Sequence, residues 1–229
     1  MLILALESTT EACSVALYNH GSIVELFEFA PRKHTNLLLN MVDRLLKQEN
    51  FSKNELSAIA FCRGPGAFTG LRITTGIAQG LAFGLNIPLV PVSSLAALAQ
   101  GAHRIFKEQQ YFLSCLDARK NELFWAFYEI NSGRAQCCGE EQVSSVSEIT
   151  KKLQIKPEDS LKYQVVGTGT EIIRKLNEPR LSFVDLTPET YHYPQAYDIA
   201  LLAEKLYKSG NMVSAEQAVP VYLRNNVTY

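Results

Sequence analysis

With 229 residues, 47% of them hydrophobic and 20% charged, the chain can bury one large core or two small ones, which excludes a disordered polypeptide. Its 22 basic and 23 acidic residues leave a net charge of −1 and no general attraction for nucleic acid, so any RNA must be held by a local patch or a partner. No apolar run approaches the ~20 residues that cross a bilayer, Met1 to Leu6 is broken by Glu7 without a basic leader, and the five cysteines show no CxxC spacing. The expected location is therefore the cytoplasm, without a membrane, and the cysteines are expected as reduced, mostly buried thiols rather than disulfides or zinc ligands.

Ile3 to Leu6, Cys13 to Tyr18 and Ser22 to Phe29 read as three short strands, with a hairpin signal at Asn19-His20-Gly21. Leu37, Leu38, Met41, Val42, Leu45 and Leu46 recur at helical spacing, which predicts an amphipathic helix over Asn36 to Gln48. Ser52-Lys53-Asn54-Glu55 fits a capping box before a short turn. Ser57 to Cys62 is a near-continuous apolar strand, a helix follows from about Phe68 to Phe83, and Leu89 to Val92 is the next strand; strand, helix, strand implies a parallel crossover. Ser93 or Ser94 can cap a helix over Leu95 to Ala102, and the charged stretch His103 to Gln110 marks a seam.

The second half starts again with strands, at Tyr111 to Leu116, Leu123 to Ile130 and Ala135 to Val143. A short helix at Ser147 to Leu153, a strand at Tyr163 to Val166, a helix opened by Gly167-Thr168-Gly169-Thr170, a strand at Ser182 to Asp185 and a helix over Pro194 to Leu206 complete it. This shorter echo of the first half predicts an α/β protein with a first lobe at 1–103 and a reduced second lobe at 104–229, the 194–209 helix returning to the first.

Between the fourth strand and its helix, Arg63-Gly64-Pro65-Gly66-Ala67-Phe68-Thr69-Gly70-Leu71-Arg72 concentrates three glycines and a proline. Gly64 and Gly66 can take positive φ or admit another backbone, and the amides that open the helix lack partners of their own, so Gly64, Gly66, Thr69 and Gly70 are the candidate cradle for a phosphate of ATP or ADP. Without a following Lys-Ser/Thr the segment is not a P-loop, and the same glycines serve equally as a tight packing turn.

That junction resembles the GPGSFTGLRIG segment of the TsaB (YeaZ) family, with Ala67 in place of the usual serine. Leu4-Ala5-Leu6-Glu7-Ser8-Thr9-Thr10-Glu11-Ala12-Cys13-Ser14-Val15-Ala16 resembles the family's opening LAIDTSTEACSVAL. Arg32 to Leu39 is similar to its RxHSxxLLP element, Asp117-Ala118-Arg119 with Glu122 to its DARxxEVYWA segment, and Pro220 to Arg224 to its closing PxYLR. The resemblance implies a two-lobed actin-like ATPase (ASKHA, ribonuclease H-like) fold. It also implies a non-catalytic partner of a TsaD-like threonylcarbamoyltransferase, forming N6-threonylcarbamoyladenosine at position 37 of tRNAs that read ANN codons. Further implied are a TsaE-like ATPase in the complex, a homodimer when alone, indirect or weak contact with tRNA, and no required cofactor.

In the superfold the first hairpin carries DxGTT, whose acid positions a metal; here it reads Glu7-Ser8-Thr9-Thr10, and Glu7 can equally pair with a neighbouring arginine such as Arg72. TsaD holds its metal with two histidines four apart after the strand equivalent to Leu89 to Val92, where this chain reads Val92-Ser93-Ser94-Leu95-Ala96-Ala97-Leu98. The four histidines are scattered and read as surface, turn or capping residues, so neither a metal site nor a catalytic residue is expected. Asp117 and Arg119 are expected to pair with one another. Leu37, Met41 and Leu45 on the first helix and Gly76 and Gly80 on the small-residue helix are the candidate partner interface. The alternatives are a small actin-like nucleotide hydrolase or phosphotransferase using Glu7 with metal, and a glycoprotease-like metalloprotease, which the missing histidine pair disfavours.

Overall fold

The structure, a computed structural model, describes residues 1–155, 161–183 and 192–224. The first sheet holds β1 (Leu2–Glu7), β2 (Ala12–Asn19), β3 (Ser22–Phe29), β4 (Ala58–Gly64) and β5 (Leu89–Ser93) in the order β3-β2-β1-β4-β5. The meander pairs antiparallel, and β4 and β5 join in parallel. The parallel steps follow from helical crossovers, because a tight turn cannot return a strand in the same direction. Two helices, α1 (His34–Gln48) and α2 (Phe68–Leu85), run between the strands of this sheet, and α3 (Ser94–Ile105) follows β5. Ser93 caps α3 by accepting from the Leu95 and Ala96 amides, and the Ser52/Glu55 capping box is formed.

A second sheet holds β6 (Tyr111–Asp117), β7 (Glu122–Asn131), β8 (Arg134–Cys137), β10 (Tyr163–Val166) and β11 (Leu181–Ser182) in the order β11-β10-β6-β7-β8, with β9 (Gln142–Ser145) also on β7. The strand expected over Ala135 to Val143 is two strands. β8 pairs with Tyr128–Asn131 and β9 with Glu122–Trp125, and the chain breaks between them at Gly139, whose φ is +110°. Val184 and Asp185 of the strand expected over Ser182 to Asp185 lie outside the described residues. The second sheet also carries α4 (Val146–Ile155) and α5 (Thr170–Arg174).

Five layers result. Leu2, Leu4 and Leu6 face α1 and α2, whereas Ile3 and Ala5, one residue out of phase, face the layer made by α3 and α6 (Ala196–Lys208). That middle layer is shared, since Phe112, Leu116 and Tyr128 of the second sheet pack into the same core. The outer face of the second sheet packs Trp125 and Val165 against Ile149, Leu153 and Ile173. The chain thus returns from the second sheet to the first, and Val213 continues the return by exchanging both backbone hydrogen bonds with Leu89, each 2.9 Å long.

Partly buried ion pairs bridge this joint. Arg104 on α3 donates to both oxygens of Asp198 on α6 at 3.2 and 3.0 Å, and to Gln195. Arg134 of β8 donates to Glu204 at 2.9 Å, while Tyr18 of β2 donates to the other Glu204 oxygen at 2.7 Å. All five cysteines are free; Cys13, Cys62 and Cys115 are buried as expected, but Cys137 is exposed and Cys138 half-exposed where β8 ends at the sheet margin.

Candidate functional site

The Gly-rich junction folds as a packing device first. Gly64 has a φ of +103°, which turns β4 into the loop, and a Cβ on Gly66 would stand 2.5 Å from the Thr9 carbonyl oxygen. A Cβ on Gly70 would collide with the Ser8 carbonyl. The first turn of α2 therefore lies directly on the loop between β1 and β2, and the Ala67 amide donates to the Thr9 carbonyl at 2.7 Å. Thr69 stays exposed in that first turn, and no side chain caps α2 at Ala67.

Ser8 completes the contact. Its hydroxyl donates to the Gly70 carbonyl at 3.2 Å and lies 2.6 Å from the Thr74 hydroxyl, both bonds fully buried. The residue that stands where the superfold has glycine thus latches the hairpin loop to α2. Ser8→Ala should cost about 1–2 kcal/mol, because one buried hydroxyl then loses its partner; thermal unfolding of the two proteins measures it, and an unchanged midpoint would remove the latch.

Glu7 does not meet Arg72. Its carboxylate is fully buried, with Oε1 accepting from the Thr9 amide at 2.7 Å and the Thr9 hydroxyl at 2.6 Å, and with no partner on Oε2. Burial pushes its pKa up to about 7, against the pull of the nearby Cys62 thiol and of the Thr9 hydrogen bonds. Arg72 sits instead on the exposed side of α2, its guanidinium 4.0 Å from the centre of the Phe68 ring. The alternation along β1 decides this: a side chain at the strand end points into one of two packed layers, not along the surface.

Between the two sheets lies a cleft of about 830 Å³. One wall comes from Thr9, Thr10 and the turn Pro65 to Leu71, the other from Asp117 to Arg119 and Thr168, and the tail residues Val221 to Arg224 cross it. Gly66, Gly70 and Thr69 are thus on the cleft, but Gly64, which packs against Leu71 and Val221, and Glu7 are not. The expected Asp117–Arg119 ion pair is a turn contact, in which Asp117 Oδ1 accepts from the Arg119 backbone amide at 2.8 Å. Gly167 and Gly169 pack against Cys115, so the Gly-Thr-Gly-Thr segment is a strand-to-helix turn. Arg32 and His34 also line the cleft, and sequence alone gave no reason to place them there. His34 is half-buried rather than a surface residue, and burial holds its imidazole below the usual range. Among the described residues no three His, Cys, Asp or Glu side chains come together to hold a metal ion.

The helix faces correct part of the expected interface. Met41 and Leu45 are only 2% and 0% exposed and pack into the core beneath α1, so a partner does not reach them; Leu37 is half-buried at the edge of that core. Leu39 is the leucine that α1 shows to solvent. On α2, Gly76 and Gly80 are exposed and a Cβ on either would meet nothing within 4 Å. Gly84 and Phe83 extend the same face, Phe83 at 74% exposure, and α2 carries no charged residue from Ile73 to Leu85. Solvent-facing helix surfaces normally carry charge, which this stripe lacks.

Residues 26–229 match the family described as TsaD, tRNA N6-adenosine threonylcarbamoyltransferase. The chain is 39% identical over its full length to the tRNA threonylcarbamoyladenosine biosynthesis protein TsaB of Escherichia coli (strain K12), covering 97% of that protein. It is 36% identical to the protein of the same name from Haemophilus influenzae, covering 96% of it. Among solved structures, YeaZ from Pseudomonas aeruginosa superposes with a TM-score of 0.85 at 38% identity, over 97% of this chain and 99% of that one.

Proposed function

Because the chain belongs to the TsaB family of tRNA threonylcarbamoyladenosine biosynthesis proteins, we propose that it is the non-catalytic subunit that docks a TsaD-like threonylcarbamoyltransferase through the outer face of α2. The fold is the α/β, two-sheet fold of its actin-like relatives. The chain acts in threonylcarbamoyladenosine formation and leaves the chemistry to its partner. What carries the docking reading is the uncharged, glycine-lined stripe of α2, which the chain's own layers leave uncovered.

In this reading the modified base is adenosine 37 of tRNAs that read ANN codons, and the setting is the cytoplasm; no helix among the described residues is long and apolar enough to cross a membrane. A TsaE-like ATPase joins the complex, tRNA is held mainly by the partners, and the same α2 face pairs two copies of the chain when the partner is missing. No cofactor is required. Support for this comes from the first hairpin, where Glu7 is enclosed and Ser8 is spent on holding α2, and a nucleotide on Gly64, Gly66, Thr69 and Gly70 remains the alternative occupant of the cleft.

Reconstitution of the modification with TsaD- and TsaE-like proteins and a supply of the threonylcarbamoyl donor tests the reading. Product should form with this chain and not without it; equal activity in its absence refutes the partner role. Gly80→Arg tests the surface separately. The position is open, and the change replaces a helical glycine at a gain of up to about 1 kcal/mol, so the fold should persist. Co-elution with the TsaD-like subunit should nevertheless be lost, and undiminished binding would move the interface off α2.

A further inference from the structure

Two of the sequence segments singled out above, Asp117-Ala118-Arg119 with Glu122 and Pro220 to Arg224, take no part in the α2 docking face, and the structure joins them. Arg224 donates to the Ala118 carbonyl at 3.2 Å and forms an ion pair with Glu122. At the other end of the same short segment, the Val221 amide donates to the Arg63 carbonyl of β4 at 2.8 Å, and the Tyr222 ring rests against Phe68 of α2 with centroids 5.6 Å apart. We propose that residues 220–224 form a releasable strap that closes the cleft, tying the β4–α2 turn of the first sheet to the β6–β7 turn of the second.

The two sides of the cleft are fastened very differently. The joint through α3 and α6 is buried: Asp198 is 1% exposed, and apolar side chains from both sheets share that core. The strap is superficial. Phe68 and Tyr222 are each 42% exposed, and Arg224 and Glu122 are in partial contact with solvent. Partly exposed ion pairs and single surface contacts are weak compared with a shared apolar core, so opening on the strap side leaves the buried joint intact as a hinge.

The anchor on the second sheet is itself under tension. Arg119, Lys120 and Asn121 all adopt positive φ, at 67°, 55° and 59°, a conformation that L side chains avoid and that persists only where the surroundings hold it. The turn is closed by the Ala118 amide donating to the Glu122 carbonyl at 3.0 Å, and Arg224 grips these same two residues. Releasing Arg224 therefore loosens the turn that forms one wall of the cleft, as well as freeing the tail.

Hydrogen exchange on the full-length isolated chain tests the strap without the partner subunit, so its outcome is independent of the docking reading. Arg224→Ala should speed exchange at residues 117–122 and at 66–70 by roughly ten-fold or more, while α3 and α6 stay within about two-fold of the native protein. Tyr222→Ala, at the opposite anchor, should give the same pattern. Unchanged exchange at both cleft walls overturns the proposal. Faster exchange spread equally through α3 and α6 also overturns it, because the tail is then ordinary packing and not a strap.

Discussion

Gly70→Ala should lower the denaturant midpoint of the protein sharply, by the equivalent of at least ~2 kcal/mol, whereas Gly80→Ala on the same helix should raise it. Helix propensity alone favours alanine at both positions by about 1 kcal/mol, so it cannot produce opposite signs. Packing does. A Cβ on Gly70 would fall on the Ser8 carbonyl oxygen, with the carbonyl carbon 3.0 Å and the Thr9 Cα 3.1 Å away. These are backbone atoms, fixed in turn by the Ala67–Thr9 hydrogen bond, and they cannot rotate out of the way as a side-chain end would. Gly80 points into open space. Urea unfolding followed by circular dichroism measures both variants, and a stabilised Gly70→Ala protein would show that α2 does not sit on the β1–β2 loop as described.

The contrast between these two glycines also explains what was legible in the sequence. Periodicity located nearly every element, because α1 is amphipathic, β1 is a short apolar run buried on both faces, and Ser93 and Ser52 announce the helical turns they cap. Direction was harder. The seven apolar residues of α1 exceed what a narrow stripe needs, which suggested an outer partner face, yet Leu38, Met41, Val42, Leu45 and Leu46 all turn inward because α1 lies broadly across the sheet. The uncovered apolar surface is on α2, where the available signal was an absence: thirteen positions from Ile73 to Leu85 without a charge.

Long-range pairs were the other loss. Glu7 and Arg72 have opposite charges and close elements, but one side chain is enclosed between layers and the other lies on a phenyl ring at the surface. Arg224 and Glu122 meet across 102 residues of sequence, and no local pattern carries that information. The two-sheet architecture and the return of the last helix to the first sheet were visible because a repeated strand-helix order is a local signal; the strap and the sharing of the α3–α6 layer by both sheets were not, because each depends on contacts between distant segments.

The enclosed carboxylate makes stability depend on pH in an unusual direction. Glu7 keeps its proton in the folded protein until about pH 7, while in the unfolded chain it releases it near 4.5. Between those values the folded state binds more protons, so stability is full below about pH 4.5, falls as pH rises to 7, and levels off above. The shift corresponds to roughly 3 kcal/mol for Glu7. Glu25, raised to about 7, and Asp198, raised to about 6, are also lifted mainly by burial and deepen the same decline. Glu7→Gln removes one ionisation while leaving an oxygen to accept from Thr9 and an uncharged group in place of the unpartnered Oε2. The variant should match the native protein near pH 4.5, exceed it by about 3 kcal/mol at pH 8, and show a shallower slope between, the remainder coming from Glu25 and Asp198. Urea midpoints from pH 4.5 to 8.5 decide the matter. A variant less stable than the native protein at pH 8 would mean that the Glu7 carboxylate is ionised and paired in the folded state, which would return the hairpin to a charge-binding role.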